Sequence, residues 1–145
     1  MTGKKYALPR GLYPSARLNF QFYLWQEALG FIVHPSVDLA KPDLKVADVA
    51  TGTGIWLNEL SKYVPSSAQL DGFDLSTDQF PHISCLPSNV RLQIWDATQE
   101  PPESMVGVYD VVHIRLIEFA IEDNDPSIIL RNCRKLLSEK TPRRC

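Results

Sequence analysis

The stretch Leu44-Lys45-Val46-Ala47-Asp48-Val49 is short and mostly apolar, and Thr51-Gly52-Thr53-Gly54 follows it almost at once. A run of that length bounded by turn residues reads as a buried strand. Ile55 to Val64 then has apolar residues at 56, 57, 60, 63 and 64 before Pro65, the pattern of an amphipathic helix with a hard stop. A strand that passes through a glycine turn into a helix implies crossover connections and a parallel sheet. The alternation continues downstream. Gln69–Phe73, Val90–Trp95 and Val108–Ile114 are further strand candidates, with Pro87-Ser88-Asn89 as the turn before Val90 and a short helix between the first two. Asp125-Pro126 opens a last helix, whose buried side takes Ile129, Cys133, Leu136 and Leu137. At the other end, residues 1–14 contain Pro9, Gly11 and Pro14 and read as an irregular arm. Ser15 then caps a helix with Leu18, Phe22, Trp25 and Leu29 on one face, interrupted at Gly30 and ended by His34-Pro35.

A chain of 145 residues, 44% hydrophobic and 22% charged, is long enough for one ordinary globular core. Its 15 basic and 17 acidic residues leave a net charge of -2, so charge gives no case for a nucleic-acid or membrane partner. No stretch is apolar enough for its length to span a bilayer. Lys4-Lys5 is followed by no apolar run, so a secretory leader is not expected. Cys85, Cys133 and Cys145 are odd in number and widely spaced. They form neither a zinc pattern nor a disulfide framework, and they suit a reducing, cytoplasmic setting. No metal site is expected.

Gly52 and Gly54 let the backbone approach a ligand closely at the start of a helix. A lone Gly-x-Gly is weak evidence, and its weight comes from three acidic residues at successive strand ends. Asp48 closes the first strand. Asp74 lies 74 − 54 = 20 residues past the turn, where a carboxylate can accept from two ribose hydroxyls. Asp96 ends the third strand, where an adenine amine needs an acceptor. Any one of the three has an alternative explanation, because turns favour Asp. The dinucleotide fingerprint requires a third glycine, and that position is Leu57. A phosphate loop requires Gly-Lys-Ser/Thr, but Ile55-Trp56 follows Gly54, and no basic residue lies between Lys45 and Lys62. A nucleoside ligand without phosphate, S-adenosyl-L-methionine, fits this turn better than NAD or ATP.

Together, Asp48 to Trp56, Asp71-Gly72-Phe73-Asp74-Leu75-Ser76, Trp95-Asp96-Ala97 and Tyr109-Asp110-Val111-Val112-His113-Ile114-Arg115 resemble the class I S-adenosylmethionine-dependent methyltransferases of fungal secondary metabolism. Arg17-Leu18-Asn19-Phe20-Gln21 resembles the helix that precedes the fold in that group, and the resemblance spans residues 10–137. It implies a Rossmann-like α/β fold with sheet order 3-2-1-4, S-adenosyl-L-methionine as cofactor and a small-molecule methyl acceptor. By the same resemblance, Asp48 and Gly52 lie near the methionine end, Asp74 holds the ribose, Asp96 meets adenine and Leu75 flanks the ring. Thr51, Gly54 and Ala97 complete the cofactor set. Trp95 either flanks adenine or packs in the core, with the core reading preferred. Arg17, Asn19 and Gln21 form a lid or a solvated helix face. Phe22 stands where the group often has a histidine, which weakens the case for a catalytic base from that helix. His113, at the end of the fourth strand with Arg115, either takes a proton from the acceptor or packs as a strand residue.

The expected organisation is an N-terminal arm and helix over 1–43, a cofactor-binding domain over 44–137 and an unstructured tail over 138–145. The family's fold continues with further strands, whereas the polar tail after Leu137 is unpatterned, so C-terminal truncation is expected. Val108–Ile114 would then be an apolar sheet edge open to self-association or to a protein partner. Three functions compete. They are a small-molecule methyltransferase, a non-catalytic remnant or subunit that completes its sheet with another chain, and a nicotinamide-dependent oxidoreductase, which Leu57 disfavours.

Overall fold

The computed structural model describes residues 12–115, 117, 121 and 125–139. In chain order it has α1 (Leu12–Leu29), β1 (Lys45–Val49), α2 (Ile55–Leu60), β2 (Gln69–Asp74), β3 (Val90–Ile94), β4 (Val111–Ile114) and α3 (Ser127–Leu136), with single 3-10 turns at Ile83–Cys85 and Glu103–Met105. The four strands form one sheet in the order β3-β2-β1-β4, and every pairing is parallel. The alternation of strand and helix in the sequence leads to this arrangement, because each crossover returns the chain to the same end of the sheet.

Alternate side chains along β1 feed two cores. Val46 faces a cluster with Phe22, Trp56, Leu57, Leu60, Leu70 and Val90. Ala47 and Val49 face a cluster with Phe73, Trp95, Tyr109, Ile129, Cys133 and Leu136 on the α3 side. Both strands are buried on both faces, β1 through Val46, Ala47 and Val49 and β2 through Leu70 and Phe73, with Asp48 and Asp71 buried among them. Trp95 is buried in the second cluster, edge-on to Phe73 at 5.9 Å, and it also borders the cavity at the strand tips, so it belongs to the core and to the cavity wall at once. α3 starts one residue later than the Asp125-Pro126 pair implied: Pro126 is the N-cap and Asp125 lies just before it, its Oδ1 accepting from the Ser127 N–H at 2.9 Å.

Several boundaries differ from the sequence reading. α1 begins at Leu12, so Pro14 and Ser15 lie inside its first turns and Ser15 is not the cap. A proline in the first turn removes only an N–H that has no intrahelical acceptor. Residues 1–11, the rest of the proposed arm, lie outside the described residues, as do residues 140–145 of the proposed tail. The predicted apolar face of α1 is not a buried face. Phe22 is buried, but Trp25 and Leu29 are 44% and 50% exposed. The helix carries apolar residues on all sides and contacts the domain mainly along the line through Leu18 and Phe22. It stops at Leu29, where Gly30 adopts φ +74° and donates its N–H to Gln26. α2 is shorter than predicted, because the chain turns at Ser61 before Pro65. The fourth strand starts at Val111 rather than Val108. Gly107 and Tyr109 spend their N–H groups on Lys135 and Leu136 at the end of α3, and Tyr109 bridges Leu137, which lies just past the helix.

Candidate functional site

The carboxyl ends of β1, β2, β3 and β4 surround a cavity of about 250 Å³. Ligands in open parallel sheets bind at this end. Asp48, Thr51, Gly52, Asp74, Leu75, Asp96, Ala97 and His113 all line it. Gly54 does not. Its φ of +72° starts α2, and a Cβ there would come within 3.1 Å of Leu92, so its missing side chain serves packing. Of α1, Leu18 reaches the lining, whereas Arg17, Asn19 and Gln21 do not. Asn19 instead accepts from the Thr53 hydroxyl at 2.6 Å and so ties α1 to the glycine turn.

The turn is held from below. Ala50 takes φ +59° and Gly52 φ +57°, which swings the chain back over the strand tips. A Cβ on Gly52 would lie 3.2 Å from Leu18. Gly52 N–H donates to Asp74 Oδ2 and Leu75 N–H to Oδ1, both at 2.8 Å. Both carboxylate oxygens of Asp74 are thus tied to backbone N–H groups of the bend and of the loop after β2. At β3, Asp96 Oδ1 accepts from the backbone and hydroxyl of Thr98 at 2.9 and 2.7 Å, closing an Asx turn. Asn132 on α3 donates to the carbonyls of Ala97 and Gln99, both at 2.9 Å, and fixes that loop.

The β4 side holds groups that the sequence reading left apart. Asp48 and His113 are direct neighbours in the parallel register. His113 Nδ1 lies 2.7 Å from Asp48 Oδ1, and the Thr51 hydroxyl donates to Oδ2 at 2.7 Å. A carboxylate only accepts, so Nδ1 carries the hydrogen. Trp56 stacks on the imidazole, with centroids 3.9 Å apart and planes 4° from parallel, and its own indole N–H donates to the Ile32 carbonyl. Reading Trp56 as ordinary helix core missed this. Arg115 lies just past the end of β4, its guanidinium 5.7 Å from the centroid of Phe22. Burial pulls the Arg115 pKa below its usual value, against the opposing pull of Asp48.

The donor set suits a phosphate-free nucleoside. Arg115 is the one lysine or arginine in the described lining, on the β4 side, away from the glycine turn. Carboxylates stand near the tips of β1 and β2 and just past β3, and Gly52 lines the cavity beside them. Among the described residues no cluster of His, Cys, Asp or Glu could hold a metal ion, and no helix is long and apolar enough to cross a membrane.

Comparison with known proteins agrees with this geometry. A family model described as a methyltransferase domain matches residues 46–140. The chain is 36% identical over 110 residues to N-methyltransferase tcpN of Claviceps purpurea (strain 20.1), covering 75% of this chain and 39% of that protein. It is 34% identical over 140 residues to methyltransferase grgD of a Penicillium species, covering 91% of this chain and 48% of that protein. It thus spans less than half the length of these two relatives. Among solved structures, a SAM-dependent methyltransferase from Aquifex aeolicus superposes with TM-score 0.61 at 16% identity, over 87% of this chain and 66% of that one. A TehB-like SAM-dependent methyltransferase from Corynebacterium glutamicum gives TM-score 0.58 at 17% identity, over 88% and 70%. At such identities the structures speak for the fold, and the family model and fungal relatives for kinship. The chain therefore belongs to the methyltransferase-domain family, with fungal methyltransferases among its relatives and the fold of S-adenosylmethionine-dependent methyltransferases.

Proposed function

We propose that the chain binds S-adenosylmethionine at the tips of β1, β2 and β3 and serves methyl transfer to a small molecule that enters beside β4. The observation that carries this reading is the 2.8 Å bond from Gly52 N–H to Asp74 Oδ2, which ties the glycine bend to a carboxylate in the same cavity lining. Asp74 would hold the ribose, with Leu75 and Ala97 flanking adenine and Asp96 accepting from its amine. Gly52 and Thr51 would border the methionine end. When bound, S-adenosylmethionine supplies an electrophilic methyl on a sulfonium, and the C–S electron pair leaves with the sulfur. The protein's part is to orient the acceptor and exclude water. Trp56, His113 and Arg115 form the wall available for that task. Since tcpN and other relatives are named N-methyltransferases, a nitrogen-bearing acceptor in fungal secondary metabolism is the reading adopted. The exposed free Cys85 suits a reducing, cytoplasmic setting.

Calorimetric titration of the purified chain with S-adenosylmethionine and, separately, NAD tests the proposal. Binding of the first alone is expected, and binding of NAD alone would overturn it. Asp74→Ala should weaken S-adenosylmethionine by about 1–3 kcal/mol, the cost of leaving the ribose hydroxyls unmatched. An unchanged affinity would remove Asp74 from the site.

A second reading is a subunit without catalysis of its own, which completes its sheet against another chain. It is favoured by the position of β4, which is an edge of the described sheet. Sedimentation at increasing concentration separates the two, since this reading requires association.

A further inference from the structure

We propose that Asp48 and His113 form a proton-accepting dyad, with Asp48 as positioning residue and His113 Nε2 as the atom that takes the proton of an N–H or O–H methyl acceptor. The inference deepens the methyltransferase reading and rests on it. It also gives Asp48 a task other than contact with the methionine end of the cofactor.

Three restraints on the imidazole converge. Nδ1 is held 2.7 Å from Asp48 Oδ1. Asp48 cannot swing away, because its side chain is only 4% exposed and the Thr51 hydroxyl holds its other oxygen at 2.7 Å. The ring cannot rotate, because Trp56 lies flat on it and is itself fixed by the Ile32 carbonyl. With Nδ1–H directed at the carboxylate, the neutral ring carries its lone pair on Nε2. The side chain is 25% exposed, and His113 lines the cavity. The ring is therefore fixed in one tautomer without being sealed from the cavity. Its charged surroundings are Asp48 on β1 and Arg115 two residues on, with Asp74 and Asp96 elsewhere in the same lining, while α2 presents the uncharged Trp56.

The step balances simply. The acceptor's nitrogen or oxygen uses its own electron pair to bond the methyl carbon, and its proton passes to Nε2. The imidazolium so formed keeps its Nδ1–H on the Asp48 carboxylate, then releases the Nε2 proton to solvent. This chemistry selects acceptors whose nucleophilic atom bears a proton. A tertiary amine or a thioether has no proton to give and gains nothing from the dyad.

The test reads the ring directly. Long-range ¹H–¹⁵N spectra of the labelled full chain separate pyrrole-type from pyridine-type ring nitrogens, and the loss of one set in His113→Gln assigns His113 among the three histidines. The expected result at mildly alkaline pH is a protonated Nδ1 and an unprotonated Nε2, with that preference lost in Asp48→Asn. Diethyl pyrocarbonate attacks the unprotonated nitrogen, so mass-spectrometric mapping should show His113 modified several-fold more slowly in Asp48→Asn. An Nε2–H tautomer in the wild-type chain, or equal modification rates, would overturn the dyad. S-adenosylmethionine titration of the same samples keeps the two readings apart. Binding with the wrong tautomer sinks only the dyad, whereas no wild-type binding sinks the methyltransferase site beneath it.

Discussion

Ala50 is an exposed residue with φ +59°, between the end of β1 and the glycine turn. A Cβ in that left-handed region costs roughly 1–2 kcal/mol. Glycine avoids the clash but loses about 0.5–1 kcal/mol more conformational entropy on folding than alanine. Ala50→Gly should therefore raise the unfolding free energy by about 0.5–1 kcal/mol. A higher urea midpoint at constant slope is the expected reading, and a lower midpoint would show that the turn is relaxed. Of the residues around this bend, those that end strands were legible from sequence. Asp48, Asp74 and Asp96 declared themselves by spacing, because a strand read to within a residue or two places such side chains near its tip: Asp74 ends β2, Asp48 is the last residue but one of β1, and Asp96 lies two residues past β3. Links between strands were not legible. Asp48 and His113 are 65 residues apart, and only the β1–β4 register places them side by side. Nor does any local pattern distinguish a tryptophan stacked on a cavity-lining histidine from one in the core.

β2 shows the same divide at the level of an element. Its extent was readable within one residue, since the turn residues Pro65-Ser66-Ser67 before it and the Asp at its end mark both limits. The role of Gly72 inside it was not, because a strand glycine alone gives no hint of what lies above it. Here a Cβ would come within 2.6 Å of Leu92, 2.8 Å of the Thr51 hydroxyl and 3.0 Å of Leu57. Two of those contacts are core side chains and the third is the group that fixes Asp48. Gly72→Ala should thus cost about 1–3 kcal/mol by overpacking. It should also shift the Thr51–Asp48–His113 chain, so the His113 ring resonances should move with the loss of stability. Lost stability with those resonances unmoved would show that the strain is absorbed on the Leu92 side alone. The apolar surround of α1 misled the sequence reading for a related reason. Periodicity identifies a face only when the opposite side is polar, and α1 places Phe20, Leu24, Trp25 and Leu29 in partial exposure.

Over the whole molecule, the sheet is closed at its amino end by one carboxylate. Asp110 Oδ2 accepts from the Lys45 backbone N–H at 3.0 Å, Oδ1 pairs with Lys41, and the Asp110 N–H donates to the Lys45 carbonyl at 2.8 Å. The entry to β1 is thereby clamped to the entry to β4 across 65 residues of chain. Burial pushes the Asp110 carboxyl upward, but the Lys41 hydrogen bond, the Lys45 N–H and both lysine charges outweigh it and hold the pKa below the ordinary value. A folded-state value below the unfolded one means that the unfolded chain binds more protons in the window between them. The clamp's contribution is complete above the ordinary carboxylate value of about 4 and fades as pH falls through the lower folded value. Because the pair is partly solvated, that contribution is a few tenths to about 1 kcal/mol. Asp110→Asn keeps the shape of the side chain and removes its charge. In urea unfolding it should therefore be less stable than wild type at pH 6, and the gap should narrow as the pH drops below about 4. A gap that holds constant to pH 2.5 or widens on acidification would mean that the clamp works through its backbone bonds, with no part played by the charge.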